Sequence, residues 1–287
     1  MDERNTDSLM EKEKARILLL HLLGQLNTIC EKAGIPYYAS GGTCLGAVRH
    51  QGFIPWDDDI DVMMPRSYYK AFVEACERYL KAPVVIRTRE NDPYFCCEYI
   101  KLCFQDDVYG YSDLSIDVFF LDETNPQRTF FRAWQHFLLR QLYCIKTYKV
   151  GRIGKGKSYH PHHFFRRMWL GFWSKLLSLK CIDKWNKAVM LAEKHEGAYW
   201  INWGSCYSYK KATYSKKALG TPRKLPFENT YVYVAEHTEE ILVHLYGPNY
   251  MVPPPPEKRT DHGVREIHCS ELERTGILSD NQTGTSL

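Results

Sequence analysis

The run Asp59-Ile60-Asp61-Val62-Met63-Met64-Pro65 constrains this chain more than any other stretch. Apolar Ile60, Val62 and Met64 alternate with Asp59, Asp61 and Met63, and a period of two marks a β-strand with one face to the core. The spacing predicts a strand over 59–64, closed by Pro65, with Asp59 and Asp61 on the same side and roughly 6–7 Å apart at the backbone. Paired carboxylates of this kind suit a hard cation. Mg²⁺ takes oxygen ligands and shares its shell among carboxylates, waters and phosphates, with Mn²⁺ as the alternative. Two plainer readings of Asp57-Asp58-Asp59-Ile60-Asp61 compete, a solvated acidic turn and a calcium loop. An EF-hand loop starting at Asp57 requires Gly at 62 and Glu at 68, where the chain has Val62 and Tyr68, so the calcium loop fails.

A second element lies upstream. Tyr37 to Ser40 reads as a short strand running into Gly41-Gly42-Thr43, after which residues 43–49 have helical character. Strand, glycine turn and helix together place backbone N–H groups and the positive end of a helix where a phosphate can approach. A third acid stands in Ser115-Ile116-Asp117-Val118-Phe119, between apolar neighbours where an unpaired carboxylate is expensive to bury. Convergence of Asp59, Asp61 and Asp117 on one or two Mg²⁺ ions would neutralise a diphosphate and lower the pKa of an incoming hydroxyl, whose proton Asp117 can accept. These three acids are the candidate catalytic and metal-binding residues.

The rest of the chain frames these elements. Leu18, Leu22, Leu26 and Cys30 recur at helical spacing, Ser8 with Glu11 reads as a capping box, and Gly34 with Pro36 ends a helix over 8–33. A helix capped by Ser67 runs to about Leu80, followed by strands at 84–88, 94–104 and 109–120, the last two joined by a hairpin link at 105–108. Residues from Phe130 to about Glu196 turn helical, aromatic and basic, with an exposed loop at 151–157. A strand at 230–235 and a helix at 238–246 precede the prolines 253–256, which forbid further helix. This predicts one α+β catalytic domain over 1–270, with core segments 8–125 and 225–265, a helical insertion at about 126–200, and a poorly ordered tail over 271–287.

Composition narrows the partners. The 38 basic and 34 acidic residues leave a net charge of only +4, which gives no ground for wholesale nucleic-acid binding. The charged N-terminus is unlike a secretory signal and no run of 18 apolar residues occurs, so the expected location is cytoplasmic. The ten cysteines include no Cys-x-x-Cys pair and read as small buried hydrophobes rather than disulfides, and His160, His162 and His163 fit no common zinc template. Phe164 to Leu179 carries Arg166, Arg167 and Lys175 among Phe, Trp and Leu, a pattern that suits either the domain core or the surface of an anionic membrane.

The gapless stretch Tyr38-Ala39-Ser40-Gly41-Gly42-Thr43-Cys44-Leu45-Gly46-Ala47-Val48-Arg49-His50-Gln51-Gly52-Phe53-Ile54-Pro55-Trp56-Asp57-Asp58-Asp59-Ile60-Asp61 closely resembles the signature of the LicD family, which is similar in turn to the fukutin group. A second block, Leu245-Tyr246-Gly247-Pro248-Asn249-Tyr250-Met251 through Glu257-Lys258-Arg259 and His262, extends the resemblance to about residues 20–265; the basic, aromatic region 146–187 resembles nothing specific. The resemblance implies a nucleotidyltransferase-like fold, a mixed sheet flanked by helices, with a helical appendage. It implies transfer of phosphocholine, or another phospho-alditol, from a CDP-activated donor such as CDP-choline to a sugar or lipid-linked precursor of lipopolysaccharide, teichoic acid or capsule, at the inner face of the cell membrane. Gly41, Gly42, Thr43 and Asp58 then border the donor, Arg49, Lys258 and Arg259 are candidates to hold phosphate charge, and Trp56 with Phe53 can wall the base or the choline head, although adjoining aromatics are more often core, which is the favoured reading. Two alternatives stay open: nucleotidyl transfer onto a sugar phosphate or nucleic acid, and a catalytically silent glycan-binding scaffold.

Overall fold

Leu18, Leu19, Leu22, Leu23, Leu26, Ile29 and Cys30 all lie on the inward stripe of the first helix, α1 (Glu3–Ala33), and all are buried. Gly34, at φ +64°, ends it: the Gly34 amide donates to the Glu31 carbonyl and the Ile35 amide to the Cys30 carbonyl, a left-handed cap that favours glycine. The coordinates are a computed structural model, describing residues 3–125, 129–152, 163–190 and 197–259, with 269, 270, 272 and 277 beyond them; the side chains of 3–11, 129 and 152 lie outside the description. The Ser8–Glu11 capping box, the histidines 160, 162 and 262, and nearly all of the tail lie outside it too. The chain divides into two compact units, Met1–Arg87 with Ile100–Phe120 and Lys217–Leu287, and Thr88–Tyr99 with Leu121–Lys216.

In the first unit the strands run in the order β1 (Tyr38–Ala39), β2 (Ile60–Pro65), β5 (Gly110–Thr124), β4 (Ile100–Asp106), β3 (Val84–Arg87). The pairs β1–β2, β3–β4 and β4–β5 are antiparallel, and Lys101 stands directly opposite Asp117. Helices α1, α2 (Gly41–His50) and α3 (Tyr69–Tyr79), the hairpin β8 (Arg223–Phe227) and β9 (Thr230–Val234), and α8 (Thr238–Tyr246) enclose one hydrophobic core with the sheet. Asn27 of α1, buried, donates to the Tyr231 carbonyl and accepts from the Tyr37 hydroxyl, tying helix, β1 region and hairpin together.

The second unit contains α4 (Thr129–Arg152), α5 (Phe164–Leu176) and α6 (Leu179–Met190), and also β6 (Tyr199–Asn202) and β7 (Thr213–Ser215). Strand β6 pairs with Leu121–Thr124 of β5 and with β7. Leu142 and Ile145 of α4 pack on Leu170 of α5 and Ile182 of α6. Lys146, buried on α4, bonds Asp183 at 2.9 Å, and Arg89 pairs with both Asp183 and Glu98, so two cations and two carboxylates balance each other.

The α+β architecture, with a sheet flanked by helices, is the one expected. Four local expectations are corrected. Gly41 and Gly42 are the first residues of α2 itself rather than a turn before it, and Asp59 immediately precedes β2 instead of lying in it. The strand expected from Tyr94 starts only at Ile100, because Asp92 turns the chain by accepting the Tyr94 amide. The hairpin turn falls at 107–109, where Asp106 Oδ1 accepts the amides of Val108 and Tyr109. Strand β8 went unforeseen because Pro226 disfavours a central strand; in a two-stranded ribbon the missing donor costs little. Among the described residues no helix is long and apolar enough to cross a membrane.

The core contacts predict a ranking. Leu22→Ala, at a fully buried position, should cost roughly 2–5 kcal/mol in urea unfolding, against roughly 1–3 kcal/mol for Asn27→Ala. An Asn27 effect larger than the Leu22 effect would contradict the packing described.

Candidate active site

Helix α2 begins where a side chain cannot go. Gly41 has φ +52°, a left-handed conformation costly for other residues. A Cβ on Gly42 would sit 2.3 Å from Asp57 Oδ2, and one on Gly41 would sit 3.6 Å from Asp61 Oδ2 and 3.8 Å from the Tyr246 hydroxyl. Bare backbone at the positive end of the helix is therefore what the carboxylates of Asp57 and Asp61 pack against. The two glycines leave room for acids as well as for an incoming anion.

Asp61 is held by its backbone. Its amide donates to Thr43 Oγ1 at 2.8 Å, and its carbonyl accepts the Ser40 amide at 2.9 Å. Thr43 is itself buried, so its hydroxyl positions Asp61 from within α2. Burial pushes the Asp61 carboxyl well above the ordinary carboxylate range, and the negative charges of Asp59, Asp117 and Asp57 push it further, with Lys101 acting in the opposite direction. The structure thus brings Asp59, Asp61 and Asp117 together and adds Asp57. Asp57 stands against Gly42 at the start of α2, and Asp58, next to it in the loop, is half-buried.

Asp117 is engaged by its neighbours on the sheet. Lys101 Nζ donates to Asp117 Oδ1 at 2.7 Å and to Ser115 Oγ at 2.8 Å, and Ser115 Oγ also donates to Asp117 Oδ1 at 3.1 Å. Sequence reasoning passed over Lys101, yet a lone cation inside the apolar run Ile100–Phe104 was a signal; its target depended on the β4–β5 register. Among the described residues no group of three or more His, Cys, Asp or Glu side chains is placed to hold a metal ion as it stands. What the arrangement offers is three carboxylates acting on a fourth, half-buried one, with Lys101 opposing them, a set of hard oxygen donors of the kind Mg²⁺ or Mn²⁺ takes.

The loop feeding the acids is fixed at several points. Glu228 accepts the Phe53 amide at 2.9 Å, its own amide bonds the Gln51 carbonyl, and Arg16 donates to the carbonyls of Ile54 and Pro55. Arg259 lies 4.4 Å and Arg49 5.9 Å from the centre of the Trp56 ring. Arg49 also donates to the Tyr250 carbonyl and Arg259 to the Pro254 carbonyl. Two guanidiniums thus gather on the residue before Asp57, each with further N–H donors for a phosphate. An ammonium head seeking the Trp56 face would compete with them. Phe53 is core, packed edge-on against Phe227 and under Arg16, as the plainer reading of its sequence had it. Lys258 is exposed on the 3₁₀ turn Pro256–Lys258, outside the Trp56 stack. Burial pushes the Cys44 thiol up to about 12, which makes it a poor nucleophile.

Residues 34–150 match the family profile described as LicD/FKTN/FKRP, nucleotidyltransferase domain. Over that segment the chain is similar to the LicD family. Lipopolysaccharide cholinephosphotransferase LicD of Haemophilus influenzae is 49% identical over 59 residues, 21% of this chain and 22% of that protein. Ribitol 5-phosphate transferase FKRP of Homo sapiens is 50% identical over 50 residues, 17% of the chain and 9% of its own length. Ribitol-5-phosphate transferase FKTN of Mus musculus is 26% identical over 123 residues, 43% of the chain and 24% of its own. Each match spans less than a third of the relative concerned. The LicD profile holds α2, β2, Lys101 and Asp117, whereas Tyr246 and Arg259 lie beyond it.

The electrostatics predict that Asp61→Asn stabilises the metal-free protein at pH 7 by about 1 kcal/mol or more. A carboxyl whose folded pKa is raised costs nothing while both states hold the proton. The cost grows as pH climbs through the ordinary carboxylate range toward the folded value and is full above it. The difference between Asp61→Asn and wild type in urea unfolding should therefore vanish near pH 3. A variant less stable than wild type at pH 7 would contradict the reading.

Proposed function

We propose that this protein is a metal-dependent transferase that moves a phosphorylated group, phosphocholine first among the candidates, from a CDP-activated donor to a sugar hydroxyl of a cell-surface glycan precursor. The observation that carries the reading is the convergence of Asp57, Asp59 and Asp117 on half-buried Asp61 at the glycine-rich start of α2. The names of the relatives, a cholinephosphotransferase and two ribitol-phosphate transferases, support transfer of a phospho-group to a glycan.

A divalent cation bound by Asp59, Asp61 and Asp117 would supply positive charge to the diphosphate of the donor. The remaining work falls to the chain. The start of α2 offers backbone N–H groups at its positive end, where the Asp57 and Asp61 carboxylates line the space beside Gly42 and Gly41. Arg49 and Arg259 add guanidinium donors beside Trp56. Lys101 holds the Asp117 carboxylate in a fixed orientation, from which Asp117 accepts the proton of the attacking hydroxyl. Thr43 and Ser40 keep Asp61 in register. Attack at the distal phosphorus expels CMP, so catalysis here is mainly orientation and charge stabilisation.

Incubation with Mg²⁺ and a panel of CDP-linked donors, followed by product analysis, tests this directly. Release of CMP with the head-group phosphate on the acceptor is the expected result, and CMP found on the acceptor would replace the reading with nucleotidyl transfer. Asp59→Ala, Asp61→Ala and Asp117→Ala should each lower transfer by roughly a thousandfold or more. Transfer unchanged in any of the three would exclude that carboxylate from the mechanism.

A further inference from the structure

We propose that α5 is a membrane-docking helix that lies in the plane of an anionic lipid surface, an inference independent of the reading of the acid site. Phe164, Phe165, Met168, Trp169, Phe172 and Leu176 are all exposed, Phe165 to 82%. At roughly 100° per residue they fall within one sector of roughly 140°. Leu170 and Ser174, the buried residues of the helix, fall on the opposite side, where Leu170 packs on α4 and α6. The exposed sector is therefore not the leftover edge of a core-facing stripe. It is a second apolar face, on a helix roughly 20 Å long.

Its flanks identify the occupant. On the helical wheel Arg166 and Arg167 fall roughly 60° outside either edge of the exposed apolar sector and Lys175 within it, near an edge, where long side chains can lift their charges to a headgroup layer. Helix α5 contains no Asp or Glu, nor does α4, and the one acid of α6, Asp183, is neutralised by Lys146 and Arg89. Lys180, Lys184 and Lys187 are exposed on α6. This part of the chain is thus one-signed in charge although the whole is close to balanced at +4. A nucleic acid would meet the basic residues but would leave Met168 and Leu176 in water, and an anionic bilayer satisfies both.

Co-sedimentation of the full chain with phosphatidylcholine vesicles, with and without phosphatidylglycerol, tests the proposal. Binding should require the anionic lipid, weaken with salt, and fall by roughly tenfold or more in Phe165→Glu/Phe172→Glu. Both side chains are exposed, so the variant's circular dichroism should match wild type. Acyl-chain-brominated lipid should quench wild-type tryptophan fluorescence, and Trp169→Phe should remove most of that quenching; this arm stands even if the double variant misfolds. No pelleting at low salt, pelleting that the double variant leaves unchanged, or quenching unaffected by Trp169→Phe would overturn the proposal. So would a lipid-free dimer dispersed by the double variant, which would assign the face to a second copy of the chain.

Discussion

The half-buried carboxylate of Asp61 is the constraint around which the first unit is arranged. A carboxylate largely withdrawn from water beside Asp57, Asp59 and Asp117 is unfavourable as an isolated feature. It stays in place because both faces of its peptide are committed, to Thr43 on one side and Ser40 on the other, and because Ile60 and Val62 beside it are wholly buried. The core thus fixes the strand, and the strand presents the acid. Strained or repelling groups held by a well-packed surround are a common property of reactive sites.

The same logic explains the supporting residues. Gly42 must lack a side chain because Asp57 occupies that space, and the loop delivering Asp57 is clamped by Glu228 and Arg16 from distant parts of the chain. Lys101 opposes the accumulated negative charge and orients Asp117 with help from Ser115. The acids beside Asp61 hold its pKa up even with Lys101 opposing them, and a divalent ion there would relieve that repulsion.

How far the sequence could be read depended on the range of the interaction. Alternation around Ile60 and Val62, the stripe of α1 and the helix at 238–246 are local patterns, and each element formed where its pattern lay. The grouping of the acids was legible from chemistry, since an acid in an apolar strand needs a partner. What stayed hidden was set by register or by distant chain: Lys101 opposite Asp117, Glu228 under the loop and Arg259 on Trp56. The strands β6 and β7 at the end of a helical region were obscured because their partner, the tail of β5, lies some eighty residues earlier. For α5, composition left core and membrane surface equally open, and only the exposure of its aromatic face separates them.

The central claim is that the half-buried acid cluster is a divalent cation site. Titration of the protein into Mn²⁺, followed by the electron paramagnetic resonance signal of the free aquo ion, tests it most directly. The account predicts that wild-type protein depletes that signal, that Mg²⁺ restores it by competition, and that Asp61→Asn, folded and at least as stable, leaves it undiminished. Equal depletion by wild type and Asp61→Asn, or none by wild type, would contradict it.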